Sequence, residues 1–181
     1  MKRTLARGSL FLAAAALATS GLVMAPAGAA TPPQQKCTSL KGKVTITPGI
    51  SATPRAQTAK AKANLAGCTP KTKTGGTGVM TATLKLPSNS SCTGLASGGT
   101  TIKMTAKVVW KNKKSSTFAL TAKTGTGSNV LTANITGKVS AGLFKGRPVT
   151  SQIKIKPTKG NCAPTPVTEI SFTNSKPFLI K

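Results

Sequence analysis

Few side chains in this sequence can do chemistry at neutral pH, and their types decide which chemistry is open to it. Proton transfer is usually the work of His, Asp or Glu, with Lys, Tyr and Cys as less frequent agents. The 181-residue chain has no His, no Asp and no Tyr, and its one acidic side chain is Glu169. A carboxylate pair of the glycosidase kind and a Ser-His-Asp triad are therefore both excluded. Metal sites built on imidazole or clustered carboxylates go with them, and no cofactor is expected. Four cysteines remain: Cys37, Cys68, Cys92 and Cys162. Their spacings of 31, 24 and 70 contain no CxxC, and no imidazole is present to activate a thiol. Structural disulfides are the expected use of all four, in an oxidising compartment.

Cationic side chains dominate what is left. Lys plus Arg number 26 against the single acid, for a formal charge of +25. The densest group is Lys103, Lys107, Lys111, Lys113 and Lys114, with Lys145 and Arg147 forming a smaller one. These seven are the candidate anion-binding residues. Beyond the first thirty residues the cations are 21 Lys and only Arg55 and Arg147. Lys is a hydrated point charge on a flexible stem, whereas Arg offers a planar fork for bidentate recognition. Such a surface suits nonspecific attraction to polyanions and not base-by-base readout of nucleic acid. Single-strand binding needs stacking aromatics, and Trp110, Phe118, Phe144, Phe172 and Phe178 are more economically placed in core or strand-end packing.

The start of the chain reads as an export leader. Met1-Lys2-Arg3 through Arg7 is a positive segment, Leu10–Ala18 is apolar, and Ala25–Ala30 offers small residues for cleavage after Ala29 or Ala30. Removing residues 1–30 leaves a net charge of +22 on residues 31–181, a length that fits one domain. The apolar stretch is short for a membrane span, and no second one follows, so the mature form is expected to have none.

The elements that must present the cations follow from alternation. Val44 and Ile46 alternate with Lys43, Thr45 and Thr47 until Pro48-Gly49. Ala59 to Leu65, Met80 to Leu86 and Ile102 to Trp110 alternate with Lys and Thr in the same way. Further runs carry Phe118 and Leu120, then Leu131 to Ile135, Val149 to Ile155, and Val167 to Thr173. About eight strands result, predicting an all-β fold: a single antiparallel β-sandwich or barrel-like domain with one face apolar and the other Lys/Thr. The Ala-Lys run at 56–66 is the one place where a helix competes, and its strict alternation favours a strand. Glu169 falls on the outward parity of the last strand, as an exposed ion-pair partner.

If runs 43–47 and 58–67 pair antiparallel, the neighbourhoods of Cys37 and Cys68 meet. The predicted pairs are then Cys37–Cys68 and Cys92–Cys162, the second tying the loop after the third strand to the loop before the last. In the chain-entropy account these closures contribute about 3.7 and 4.4 kcal/mol.

A Cys before a strand ending in Pro-Gly, then Leu65-Ala66-Gly67-Cys68-Thr69 and Cys92-Thr93-Gly94-Leu95, resembles a group of uncharacterised actinobacterial secreted proteins. Val108-Val109-Trp110, the segment 137–146 and a final Cys before a Val-Thr-x-Ile strand extend the likeness over most of residues 31–181. The resemblance implies export, an all-β fold and paired cysteines, and it implies nothing about mechanism. This chain departs from that group in its heavy loading with Lys.

A net charge of about 2–8 is enough for solubility of a small domain, and near-total exclusion of acids costs stability through self-repulsion. The expected function is therefore a secreted, non-enzymatic β-domain held at the envelope or matrix by polyanions. Wall polymers, acidic polysaccharide, lipid head groups and extracellular DNA are the candidate partners. The alternative is a secreted effector, an inhibitor or cationic antimicrobial-type protein; no amphipathic cationic helix supports it. Lysines along exposed strand edges oppose sheet-to-sheet association and favour a monomer.

Overall fold

A computed structural model describes residues 33–88, 90–125 and 131–181. The leader reading, with its cleavage after Ala29 or Ala30, lies outside the described residues. Eight strands follow one another as β1 (Gln35–Ile50), β2 (Gln57–Thr69), β3 (Gly78–Leu86), β4 (Thr101–Trp110), β5 (Ser115–Thr124), β6 (Leu131–Gly142), β7 (Pro148–Lys159) and β8 (Val167–Ile180). Each pairs antiparallel with the next, and β8 closes back onto β1, so the expected antiparallel domain is a closed meander barrel. Closure removes the unpaired edges that an open sheet would expose.

Alternation decides what faces inward. On β3 every second residue from Gly78 to Leu86 is buried and the intervening Val, Thr and Lys are exposed. The 56–66 run is the strand β2, with Ala59, Ala63 and Leu65 buried and Lys60, Lys62 and Asn64 exposed. The inner surface holds the apolar side chains, and the outer surface is largely Lys and Thr. Among the described residues no helix is long and apolar enough to cross a membrane.

Three features correct the sequence reading. First, Pro48-Gly49 does not end β1, which runs on to Ile50. Its register against β8 shifts between Thr45 and Ile50, and such an irregularity is where a strand tolerates a proline that cannot donate to the ladder. Second, β6 and β8 run to Gly142 and Ile180, well past Ile135 and Thr173, because partners on both sides extend the ladder. Third, two short helices appear, α1 (Lys71–Thr74) and α2 (Cys92–Ala96), both too short to show a helical stripe.

Both predicted disulfides are present. Cys37 and Cys68 face each other across the β1–β2 ladder. Cys92–Cys162 joins α2 to the β7–β8 loop. Ser91 caps α2 by accepting from the Gly94 N–H at 3.1 Å, which fixes the turn that presents Cys92.

The two ends of the barrel differ. At one, the large inward side chains Trp110, Phe118, Phe178, Val139, Val149 and Ile180 fill the interior. Phe118 and Phe178 meet edge to face at 5.8 Å. The Trp110 indole N–H donates to Ser116 Oγ at 2.8 Å, and that hydroxyl donates to the Leu143 carbonyl at 2.7 Å. This is the plugged end. The opposite end carries a smaller cluster of Ile46, Ile50, Ala59, Leu84, Leu86 and Val167 beneath α2 and the Cys92–Cys162 bridge.

Candidate functional site: a cationic plugged end and an apolar lumen

An up-and-down meander sends alternate loops to the same end. The β2–β3, β4–β5 and β6–β7 connections, the start of β1 at Gln35 and the end of β8 at Ile180 all gather over the plug. Of the seven candidate cations, Lys111, Lys113, Lys114, Lys145 and Arg147 lie there, all exposed. Lys107 faces outward near the same end of β4, opposite Thr81 and Thr117. Lys103 stands apart from them. Four residues back along β4, it lies roughly 13 Å from Lys107, toward the other end.

The structure adds cations that sequence reasoning left out. Lys71 and Lys73 on α1, with Lys36 at the start of β1 and Lys181 just after β8, join the plugged end, so nine of the 23 cations in residues 31–181 gather there. No acidic side chain accompanies them. The even-numbered strand-to-strand loops could have been grouped from the sequence once a meander was assumed, and that was the missing step.

These loops are fixed to one another. Asn112 donates from Nδ2 to the Lys73 carbonyl at 2.6 Å, and the Lys111 N–H donates to the Thr77 carbonyl at 3.0 Å. Lys73 Nζ lies 5.7 Å from the Phe144 ring centre and donates to Gln34 Oε1 at 2.9 Å. Phe144 in turn packs edge-on against Trp110 at 6.2 Å. The plug thus holds the charged loops in place from beneath.

Glu169 sits far from this end, near the start of β8. Its Oε1 accepts from Thr158 Oγ1 at 2.8 Å and from Lys43 Nζ at 3.2 Å. The Thr158 and Lys43 hydrogen bonds, with the positive charges of Lys43 and Lys159, hold its carboxyl below the ordinary glutamate value.

The interior beyond the plug is not filled by the described residues. Where the plugged half has Trp and Phe, the other half places Ala59, Ala61, Ala82, Ala122 and Ala133 on the inner wall, leaving an apolar cavity of about 220 Å³. Eight strands enclose an interior just wide enough to be packed by side chains or to hold one small ligand, so the small residues decide the outcome. Leu40, Leu120 and Phe178 line it toward the plug. Among the described lining residues Thr124 alone carries a polar side chain, and its hydroxyl is taken up by the backbone of Thr100.

The β3–β4 ladder has a gap. The β3–β4 ladder stops at Thr83↔Thr105, although β3 runs on to Leu86 against β2 and β4 begins at Thr101 against β5. An outer cleft lies where the two strands part, lined by Thr83, Lys85, Lys103, Thr105 and Thr121 together with Leu84, Met104 and Leu120. Those three apolar residues also line the lumen.

No protein-family model, curated protein or solved structure matches this chain. The class is defined by the fold and site alone: a disulfide-stapled, eight-stranded meander barrel with a cation-rich plugged end and an apolar lumen.

Proposed function

We propose that this is an exported, non-enzymatic barrel, akin to the actinobacterial secreted group it resembles, that attaches to anionic polymers or surfaces through its plugged end. The observation that carries the reading is the gathering of nine cations on the loops, α1 and strand ends of one barrel end, with no acidic side chain among them. Clustered charge with a fixed scaffold raises the local potential without the ordering cost of a floppy tail. Loop lysines on a hard plug suit a flat or extended polyanion of no particular sequence. The only side-chain carboxylate is engaged by Thr158 and Lys43 on the outer surface, and all four cysteines are bridged, so neither a carboxylate nor a thiol is free for proton transfer. An outer face of Lys and Thr differs from the apolar band of a membrane barrel, which favours attachment to a surface over insertion.

Retention on immobilised wall polymer, acidic polysaccharide, duplex DNA and anionic vesicles, at rising NaCl, tests this reading. Binding to at least one of them at 0.05 M salt and release well before 1 M is expected, since screening lengths fall from about 14 to about 3 Å over that range. Failure to be retained on any of the four at low salt would overturn it.

A further inference from the structure

We propose that the barrel binds a single-chain anionic amphiphile, its alkyl chain in the lumen and its head group held at the β3–β4 gap by Lys85 and Lys103. This inference does not rest on the polyanion reading, which concerns the opposite end of the molecule.

Three observations converge on it. The first is the lumen: an almost wholly apolar cavity of about 220 Å³, lined by alanines on β2, β3, β5 and β6. An apolar cavity of ~150 Å³ already admits benzene, whereas drug-sized ligands need ~300 Å³ or more, so one medium-length alkyl chain fits and a two-chain lipid does not. The second is a wall shared by the lumen and an outer cleft. Where the β3–β4 ladder stops, Leu84, Met104 and Leu120 line both the internal cavity and the outer cleft. A chain that displaces these side chains passes from one apolar surface to the next. The third is charge. The polar part of that cleft is Thr83, Thr105 and Thr121 hydroxyls with Lys85 and Lys103, both outward on their strands and exposed. Two cations and three hydroxyls complement a carboxylate or phosphate head group and repel a cationic one. Lys103, the candidate cation left out of the plugged-end group, finds its place here.

A carboxylate head serves as the probe. Titrating the purified, oxidised protein with saturated fatty acids from butanoate to hexadecanoate should give an affinity that rises about fourfold per added methylene while the lumen accepts chain, then levels off. Dodecanoate should bind more tightly than dodecanol, and dodecyltrimethylammonium most weakly. Two variants divide the site. Ala133→Leu fills the lumen and should weaken dodecanoate and dodecanol alike by about tenfold or more. Lys85→Gln with Lys103→Gln leaves the lumen intact and should abolish the preference for dodecanoate over dodecanol. Neutralising Lys111, Lys113, Lys114, Lys145 and Arg147 should leave fatty-acid binding unchanged, which separates this site from the polyanion face. If Ala133→Leu does not fold, the chain-length series on the unaltered protein still decides the matter. Affinity independent of chain length, or a carboxylate preference that survives the double Gln variant, would overturn the proposal.

Discussion

Glu169 is the only side chain in this protein expected to titrate between neutral pH and pH 3. Its folded-state pKa is lowered, first by the Thr158 hydrogen bond, then by Lys43, against a smaller opposing effect of desolvation. A group depressed in this way adds stability above its unfolded value, near 4.3, and that contribution disappears as pH falls through the lower folded value. Thermal unfolding followed from pH 8 to pH 2 should therefore be flat down to about pH 5 and decline only below it. Glu169→Gln should flatten that acid decline. A step between pH 6 and 8 would contradict the assignment, because neither His nor a free thiol is present to produce one. At this scale the sequence told much: strand parity placed Glu169 and the lysines outward, and the missing His and Asp narrowed the chemistry. It did not reveal what Lys85 and Lys103 share. Their partnership depends on a ladder that stops at Thr83↔Thr105, and nothing in the alternation of either strand marks that point.

At the scale of elements, alternation of Lys or Thr with Ala, Val, Ile and Leu was enough to place the eight strands, and an assumed hairpin of the first two gave both cysteine pairs. Strand ends were harder. Gly42, within β1, shows why local composition misleads: a Cβ there would meet the Lys62 carbonyl at 2.5 Å and the Phe172 ring at 2.6 Å, so this glycine serves close packing and not a turn. The helices α1 and α2 were missed because four or five residues carry no periodicity. Yet α2 matters, since it brings Cys92 over the lumen end, where the core cluster is the smaller of the two. Replacing Cys92 and Cys162 together by Ser should lower unfolding free energy by about 4 kcal/mol, from the 70-residue loop it closes. Removing Cys37–Cys68, backed by the β1–β2 ladder and the aromatic plug, should cost about 3–4 kcal/mol. Urea unfolding of the two double variants checks both figures. An unchanged midpoint for the Cys92–Cys162 variant would show that the lumen end holds together without its staple.

For the molecule as a whole, the balance of charge was plain in the sequence and its polarity was not. The composition says that 26 cations face one acid; the meander says that nine of them share one end. Likewise, the small size of the inward alanines is visible in the sequence, but the resulting cavity requires knowing that the sheet closes and that Trp110, Phe118 and Phe178 collect toward the other end. The two ends are therefore suited to different partners, an extended polyanion at the plug and an alkyl chain in the lumen. The most direct check of the central claim is the salt dependence of binding to duplex DNA, used as a uniform polyanion. Three proteins are compared: the unaltered chain, a variant with Lys111, Lys113, Lys114, Lys145 and Arg147 changed to Gln, and a control with Lys60, Lys62, Lys154, Lys156 and Lys176 changed to Gln. Each phosphate neutralised contributes about −0.9 to the slope of log K against log salt. The account predicts that the plugged-end variant loses several units of slope while the control loses less than one. Equal losses in the two variants, or a slope near zero for the unaltered protein, would contradict it.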